Sequence, residues 1–196
     1  LSGYAQNIGY GDLVGIASTG TLVRIDTSFN ATKSSFAISP IGVFLGCNFT
    51  QDTGYKYPTF TQNWVSGTTF SGNGYGIVSD DPLIVMKALV TNAGTAYTSG
   101  AATIAAIGQN IGYFLPTTPV NAATGDSAMS LDYSTLATTA TLPFRVVDVV
   151  RDTALTDGTF QEILVEYTAP TISSTATVTT QATTSPFAVS AISVTS

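Results

Sequence analysis

The sequence predicts an all-β fold: an antiparallel β-barrel or jelly-roll-like β-sandwich, with a strand-forming C-terminal extension. Three observations predict it. Short runs of β-branched and aromatic residues alternate with polar ones along much of the chain. Clusters of Gly, Pro, Asn, Asp and Ser separate these runs and supply turns. The one segment with helix-start chemistry, Asp80-Asp-Pro82, leads into residues 83–90. That segment is short for a helix, and Ile84, Val85 and Val90 favour a strand after a turn.

Taken in order, Leu13-Val-Gly-Ile-Ala17 and Thr21-Leu-Val-Arg-Ile25 flank Ser18-Thr-Gly20, the pattern of a hairpin with a Gly-containing turn. Residues 36–38 lead into Pro40, which suits a strand edge or a turn because it has no N–H to donate. Residues 41–49 form an apolar strand. Gly42 and Gly46 interrupt it and mark a bulge, a bend or a close backbone approach. Gln51-Asp-Thr-Gly54 is a turn, from which Tyr55-Lys-Tyr57 returns antiparallel until Pro58 ends it. Residues 60–64 are an aromatic strand or loop. Residues 66–69 and Ser71-Gly-Asn-Gly74 read as turns, and Tyr75-Gly-Ile-Val78 as a short strand.

Beyond residues 83–90, a small polar loop covers 92–100. Apolar patches come next at 103–108 and 111–115, and residues 127–131 alternate. Asp132-Tyr-Ser-Thr135 reads as a turn or cap. Residues 144–150 form a strand with two largely apolar faces, and 151–158 a polar connection. In the strand 160–167, Ile163, Val165 and Tyr167 face one way, and Glu162, Leu164 and Glu166 the other. The phrase Gln6-Asn-Ile-Gly-Tyr10 recurs as Gln109-Asn-Ile-Gly-Tyr113, either a duplication or two strands using one local solution. The domain organisation predicted is a β-rich core over 1–169 and an uncharged arm or added strand pair over 170–196. The arm could complete the same domain or add a strand to an exposed sheet edge.

Charge narrows the function. Charged residues make up 9% of the 196, against about 25% in ordinary globular chains, and Thr, Ser, Asn and Gly replace them. Such a surface suits contact with other subunits. The six Lys and Arg form no stripe and the net charge is -6, so neither nucleic acid nor an anionic membrane is expected as a partner. No run of 18 apolar residues is present, and residues 1–12 lack the basic start and apolar core of a signal peptide.

Chemistry-bearing residues are few. The chain contains no histidine, so a Ser-His-Asp triad is impossible. Cys47, the sole cysteine, lies among apolar neighbours and reads as a small buried hydrophobe. Glu162 and Glu166, the only glutamates, would lie about 13 Å apart on one strand face, too far to act as a glycosidase pair. Asp148, Asp152 and Asp157 form the best acidic cluster but do not match the EF-hand spacing, and adjacent Asp80 and Asp81 could supply one ligand each. No catalytic residue, metal ligand or cofactor site is therefore expected. The aromatic residues Tyr55, Tyr57, Phe60 and Trp64 are candidates for a protein interface, a sugar platform or the core itself. In the arm, Phe187 and Val189 share one face and are further interface candidates.

Several phrases also carry a family resemblance. These are Gly11-Asp-Leu-Val14, Ile41-Gly-Val-Phe-Leu-Gly-Cys-Asn-Phe-Thr50, the aromatic segment ending at Trp64, Asp81-Pro82 and Pro143-Phe-Arg-Val-Val147. With the strand at 160–167, they span roughly residues 9–167. In this order the chain resembles head-decoration (cement) proteins of tailed phages, marine podophage and cyanophage ones especially. The resemblance implies a β-rich protein on the outer capsid surface, often a trimer, bound to the major capsid protein without catalytic residues or cofactor. Glu166-Tyr-Thr-Ala169 departs from the Asn-Asn-His end of that group, and 170–196 lies outside the pattern. The alternatives are a phage tail or head-fibre component that binds host surface or glycan, and a secreted polysaccharide-acting β-sandwich enzyme.

Overall fold

A computed structural model describes residues 4–26, 28, 38–52, 56–81, 83–97, 104–139, 142–150 and 161–168. Among these residues the regular structure is all β, apart from a single 3-10 turn at Ile104–Ala106. The first sheet comprises β1 (Leu13–Ile16), β2 (Leu22–Arg24), β3 (Pro40–Gln51), β4 (Pro58–Thr61) and β5 (Phe70–Ser79). Its axis is the long strand β3. One edge of β3 is lined by β5, from Val43 opposite Ser79 to Gln51 opposite Phe70. Its other edge is shared by β1, with Leu13 opposite Val43, and by β4, with Cys47 opposite Thr61.

The second sheet comprises β6 (Val85–Asn92), β7 (Thr95–Ala96), β8 (Asn110–Phe114), β9 (Ser130–Ala137), β10 (Phe144–Val149) and β11 (Gln161–Tyr167). Five of these strands close on themselves in the order β6–β11–β10–β8–β9–β6, while β7 folds back on β6 alone. The barrel of the two predicted architectures is thus the one observed. Closure gives each of the five strands a paired neighbour on both sides. The antiparallel expectation fails at one pairing, β6 with β9, which is parallel. Parallel neighbours need a crossover, and here β7, the 3-10 turn and β8 supply it.

Alternation explains the barrel wall. Gln161, Ile163 and Val165 of β11 point inward beside Val90, Ile111, Leu131 and Val146. Glu162 and Glu166 point outward to Lys87 at 2.9 Å and Arg145 at 3.8 Å. Such partly exposed pairs contribute at most about 1 kcal/mol each, so the apolar interior carries the barrel. A second core of Ile8, Val14, Phe44, Cys47, Phe49 and Trp64 lies under the first sheet. Leu22 of β2 reaches the inner face of β5 at Gly76, so this sheet curls over its core. Leu13 and Val43 pack in the opposite direction, onto the barrel cluster. The junction is fastened where the Tyr10 amide donates to Gly125 and the Ser127 amide donates to Tyr10.

Several local expectations change. Pro58 opens β4 where the sequence suggested an ending; it is the first strand residue, where a missing N–H is tolerated. Residues 71–74 lie inside β5 as an irregular stretch, between Asn48 opposite Tyr75 and Thr50 opposite Ser71. Residues 132–135 belong to β9, because Asp132 and Thr135 turn their polar groups onto neighbouring backbone amides at Ala93, Ser134 and Gly112. The repeated pentapeptide is no duplication of structure: residues 109–113 run into β8, while 6–10 make only isolated bridges from Ile8 to Trp64 and from Tyr10 to Asp126. Tyr55, Phe187, Val189, Asp152, Asp157 and the extension 170–196 lie outside the described residues.

The glycine expectation in β3 is met. The register slips between Phe44 and Gly46, and Gly46 has a φ of 143°. A Cβ there would sit 2.8 Å from both the Thr61 carbonyl oxygen and the Phe60 ring. Gly46→Ala is expected to destabilise the fold by about 1–3 kcal/mol, because the backbone is strained for an L side chain and Thr61 cannot retreat without breaking β4 pairing. Urea midpoints of the two proteins check this, and an unchanged midpoint would contradict the bulge geometry.

Candidate interaction face

No residue of β3, β4 or β5 carries a charge. The outer face of these strands is therefore uncharged. Cross-strand register builds it. Asn48 lies opposite Phe60 on one side and opposite Tyr75 on the other. Directly opposed side chains share a face, with Cβ atoms about 5 Å apart, so the three form one row. Gly46 lies opposite Ile77 in the next row. The missing side chain at Gly46 gives the Phe60 ring room to lean across β3. Phe60 is 61% exposed, Tyr75 65% and Ile77 44%, which leaves this cluster without cover among the described residues. A Lys56–Asp52 ion pair at 3.5 Å stands beyond the ends of β3 and β4.

The predicted aromatic residues divide. Phe60 belongs to the exposed row, and Tyr57 is half exposed just before β4. Trp64 is no surface residue: it is buried and fills the core under β3, edge-on to Phe49 and Phe70. Its bridge to Ile8 turns the chain inward, which an aromatic-rich sequence window cannot reveal. Sequence reasoning misses Tyr75, Ile77 and Asn48. The signal available is the i, i+2 pattern of Tyr75-Gly-Ile77, whose weight emerges only once the flanking glycines prove to be strand and not turn.

Among the described residues chemically reactive groups do not converge elsewhere. Among the described residues no three of His, Cys, Asp and Glu gather as a metal site. Cys47 is buried, its Sγ 3.2 Å from Thr61 Oγ1, and burial pushes its thiol up. Asp81 accepts the Leu83 amide in a local turn, and Asp148 accepts the Val149 amide. Burial pushes the phenol of half-buried Tyr167 up to about 12 and that of core residue Tyr113 higher still, so both stay neutral.

Asp12, Arg24 and Asp132 are the charged residues buried among the described residues, and Asp12 is the most deeply buried of them. It is fully buried at the junction of the two sheets and accepts the Gly9 amide through Oδ2 at 2.7 Å. Its Oδ1 has no hydrogen-bond partner among the described residues. Desolvation pushes its carboxyl up to about 6, against the pull of the Ser127 hydroxyl, the Gly9 amide and the Arg24 charge. Arg24 itself is turned away, its guanidinium held by Gln6 and the Asn7 carbonyl.

No family model, curated protein or solved structure matches the chain.

Proposed function

We propose that this chain is a structural virion protein, a capsid decoration or cement protein that binds and stabilises the lattice of major capsid protein. The observation that carries the reading is the uncharged face of β4, β3 and β5 with Phe60, Tyr75 and Ile77 exposed on it. Rigid aromatic residues on a sheet bury large area at small entropic cost, which is what an anchoring contact needs. The low charge of the whole chain and the phage-like order of its phrases support the same reading. In it the protein sits on the outer capsid surface as symmetric copies, most simply a trimer, and works without catalytic residue, cofactor, nucleic acid or membrane. Weak contacts repeated by the lattice add up to firm attachment.

The test is rebinding of purified protein to heads that lack it. Phe60→Ala and Tyr75→Ala are each expected to weaken binding by about 30-fold, the effect of losing a hot-spot aromatic. Their thermal unfolding should remain close to that of the parent, since both side chains are largely exposed. Binding unchanged in both variants would remove this face from the contact.

A second reading rests on the same row. Two exposed rings flanking the Asn48 amide also suit a sugar, with stacking from Phe60 and Tyr75 and hydrogen bonds from Asn48. It makes the chain a tail or head-fibre component that binds host glycan. Glycan binding lost on Asn48→Ala, together with absence from the capsid lattice, would favour it.

A further inference from the structure

We propose that the mouth of the barrel is a binding site for a neutral, hydrocarbon-rich small molecule, best matched by a linear alkyl chain. A cavity of about 350 Å³ lies between the barrel and the first sheet. All five barrel strands wall it, through Met86 of β6, Val165 of β11, Phe144 of β10, Tyr113 of β8 and Leu131 of β9. Leu13 of β1 and Val43 of β3 cover it from the first sheet. Protein interiors hold few voids larger than a water molecule. Ligand sites are spaces of several hundred cubic ångströms with mostly apolar walls, and barrel mouths are among their usual places.

The walls select the chemistry. Among the described residues, Lys87 is the one charged residue that lines the cavity, and its ammonium is engaged by Glu162 at 2.9 Å. The Ser130 hydroxyl shares a hydrogen bond with the Thr91 hydroxyl at 2.7 Å. Most of the remaining wall is aliphatic, aromatic or thioether. A peptide backbone entering here would bring amides that such a wall cannot pair. Water likewise finds few partners, whereas a hydrocarbon loses nothing on entry. The chain has two methionines, Met86 and Met129, and both line this space. Their unbranched, polarisable side chains adapt to apolar ligands of varied shape.

Size and charge narrow the class. An apolar cavity of about 150 Å³ accepts benzene, so on the same scale about 350 Å³ accommodates roughly 14 carbon atoms. The space continues past Leu13, Val43 and Ile84 into a cleft of about 190 Å³ that reaches Ile41 and Tyr167, which makes it elongated. That cleft is also lined by exposed Asp80 and Asp81. A carboxylate head would meet these like charges, so the outer end of the ligand is uncharged, as in an alcohol.

The test uses the full-length protein in solution and does not depend on the capsid reading. N-phenylnaphthylamine, a neutral apolar fluorophore, should bind saturably, with a dissociation constant of the order of micromolar. Tetradecanol should displace it, and tetradecanoate about 10-fold less well. Added tetradecanol should shift the methyl resonances of Met86 and Met129. Ala88→Phe and Met129→Trp put an aromatic ring into the space from β6 and from the approach to β9. Each should weaken probe binding by at least about 10-fold while the protein still unfolds cooperatively. Absence of saturable binding to the parent protein would overturn the proposal, as when a segment of the chain itself fills the cavity. So would methionine resonances unmoved by saturating tetradecanol, a result that depends on no variant. Binding undiminished in both filled variants would overturn it too. Binding lost in Phe60→Ala/Tyr75→Ala but kept in Ala88→Phe would overturn it by placing the probe on the exposed aromatic row. Equal displacement by tetradecanoate would overturn the choice of an uncharged head.

Discussion

Trp64→Ala is expected to lower the unfolding free energy by about 3–5 kcal/mol, the largest single-residue loss among the substitutions considered. The indole is 2% exposed and lies edge-on to Phe49 at 6.0 Å and Phe70 at 5.4 Å. Its Nε1–H faces the Tyr4 carbonyl at 3.4 Å, and its backbone exchanges hydrogen bonds with Ile8. Truncation would leave a cavity under β3 that strands held by ladder bonds cannot collapse to fill. Trp64→Phe should cost about 1–2 kcal/mol, because much of the volume remains while the Tyr4 carbonyl loses its donor. Urea unfolding of the three proteins measures both effects. A Trp64→Ala protein of parental stability but defective in capsid binding would return Trp64 to the surface and contradict the core described.

The second large effect is a pH dependence centred on Asp12. The folded protein holds this carboxyl at about 6, above the ordinary value of 3.8. Folded protein therefore binds the proton more tightly than unfolded chain does. The stabilisation is complete below about pH 4 and is lost as pH rises through 6, the reverse of a salt-bridged aspartate. A rise from 3.8 to about 6 corresponds to about 3 kcal/mol. Asp12→Asn should abolish this part of the profile, because the amide stays neutral and still offers an oxygen to the Gly9 amide. Denaturant midpoints from pH 4 to 8 should fall in the parent protein relative to the variant. Parallel profiles would show that Asp12 is solvated or paired.

Much of the fold is legible because alternation and turn chemistry act locally. The hairpin of β1 and β2, the bulge at Gly46 and the two faces of β11 come from residue order alone. Three kinds of feature are not legible. Glycine-rich residues 71–74 look like a turn, yet β3 draws them into a strand through tertiary pairing. Asp132 looks like a cap, yet its carboxylate accepts the Ala93 amide in the turn between β6 and β7. The parallel β6–β9 contact joins residues some forty positions apart, which no local pattern reports. The interaction face shows the same division. Phe60 is visible as an exposed-type aromatic, but its neighbours Asn48, Tyr75 and Ile77 come from β3 and β5 and meet it only through register. Trp64 has the same composition signal and the opposite fate, decided by its bridge to Ile8.

The most direct test of the central claim is cryo-electron microscopy of intact particles that contain this chain. Density is expected over the capsid lattice at threefold or local threefold positions, with β4, β3 and β5 facing the major capsid subunits. Density confined to the tail or to a single vertex would contradict it and favour host or glycan binding through the same aromatic row.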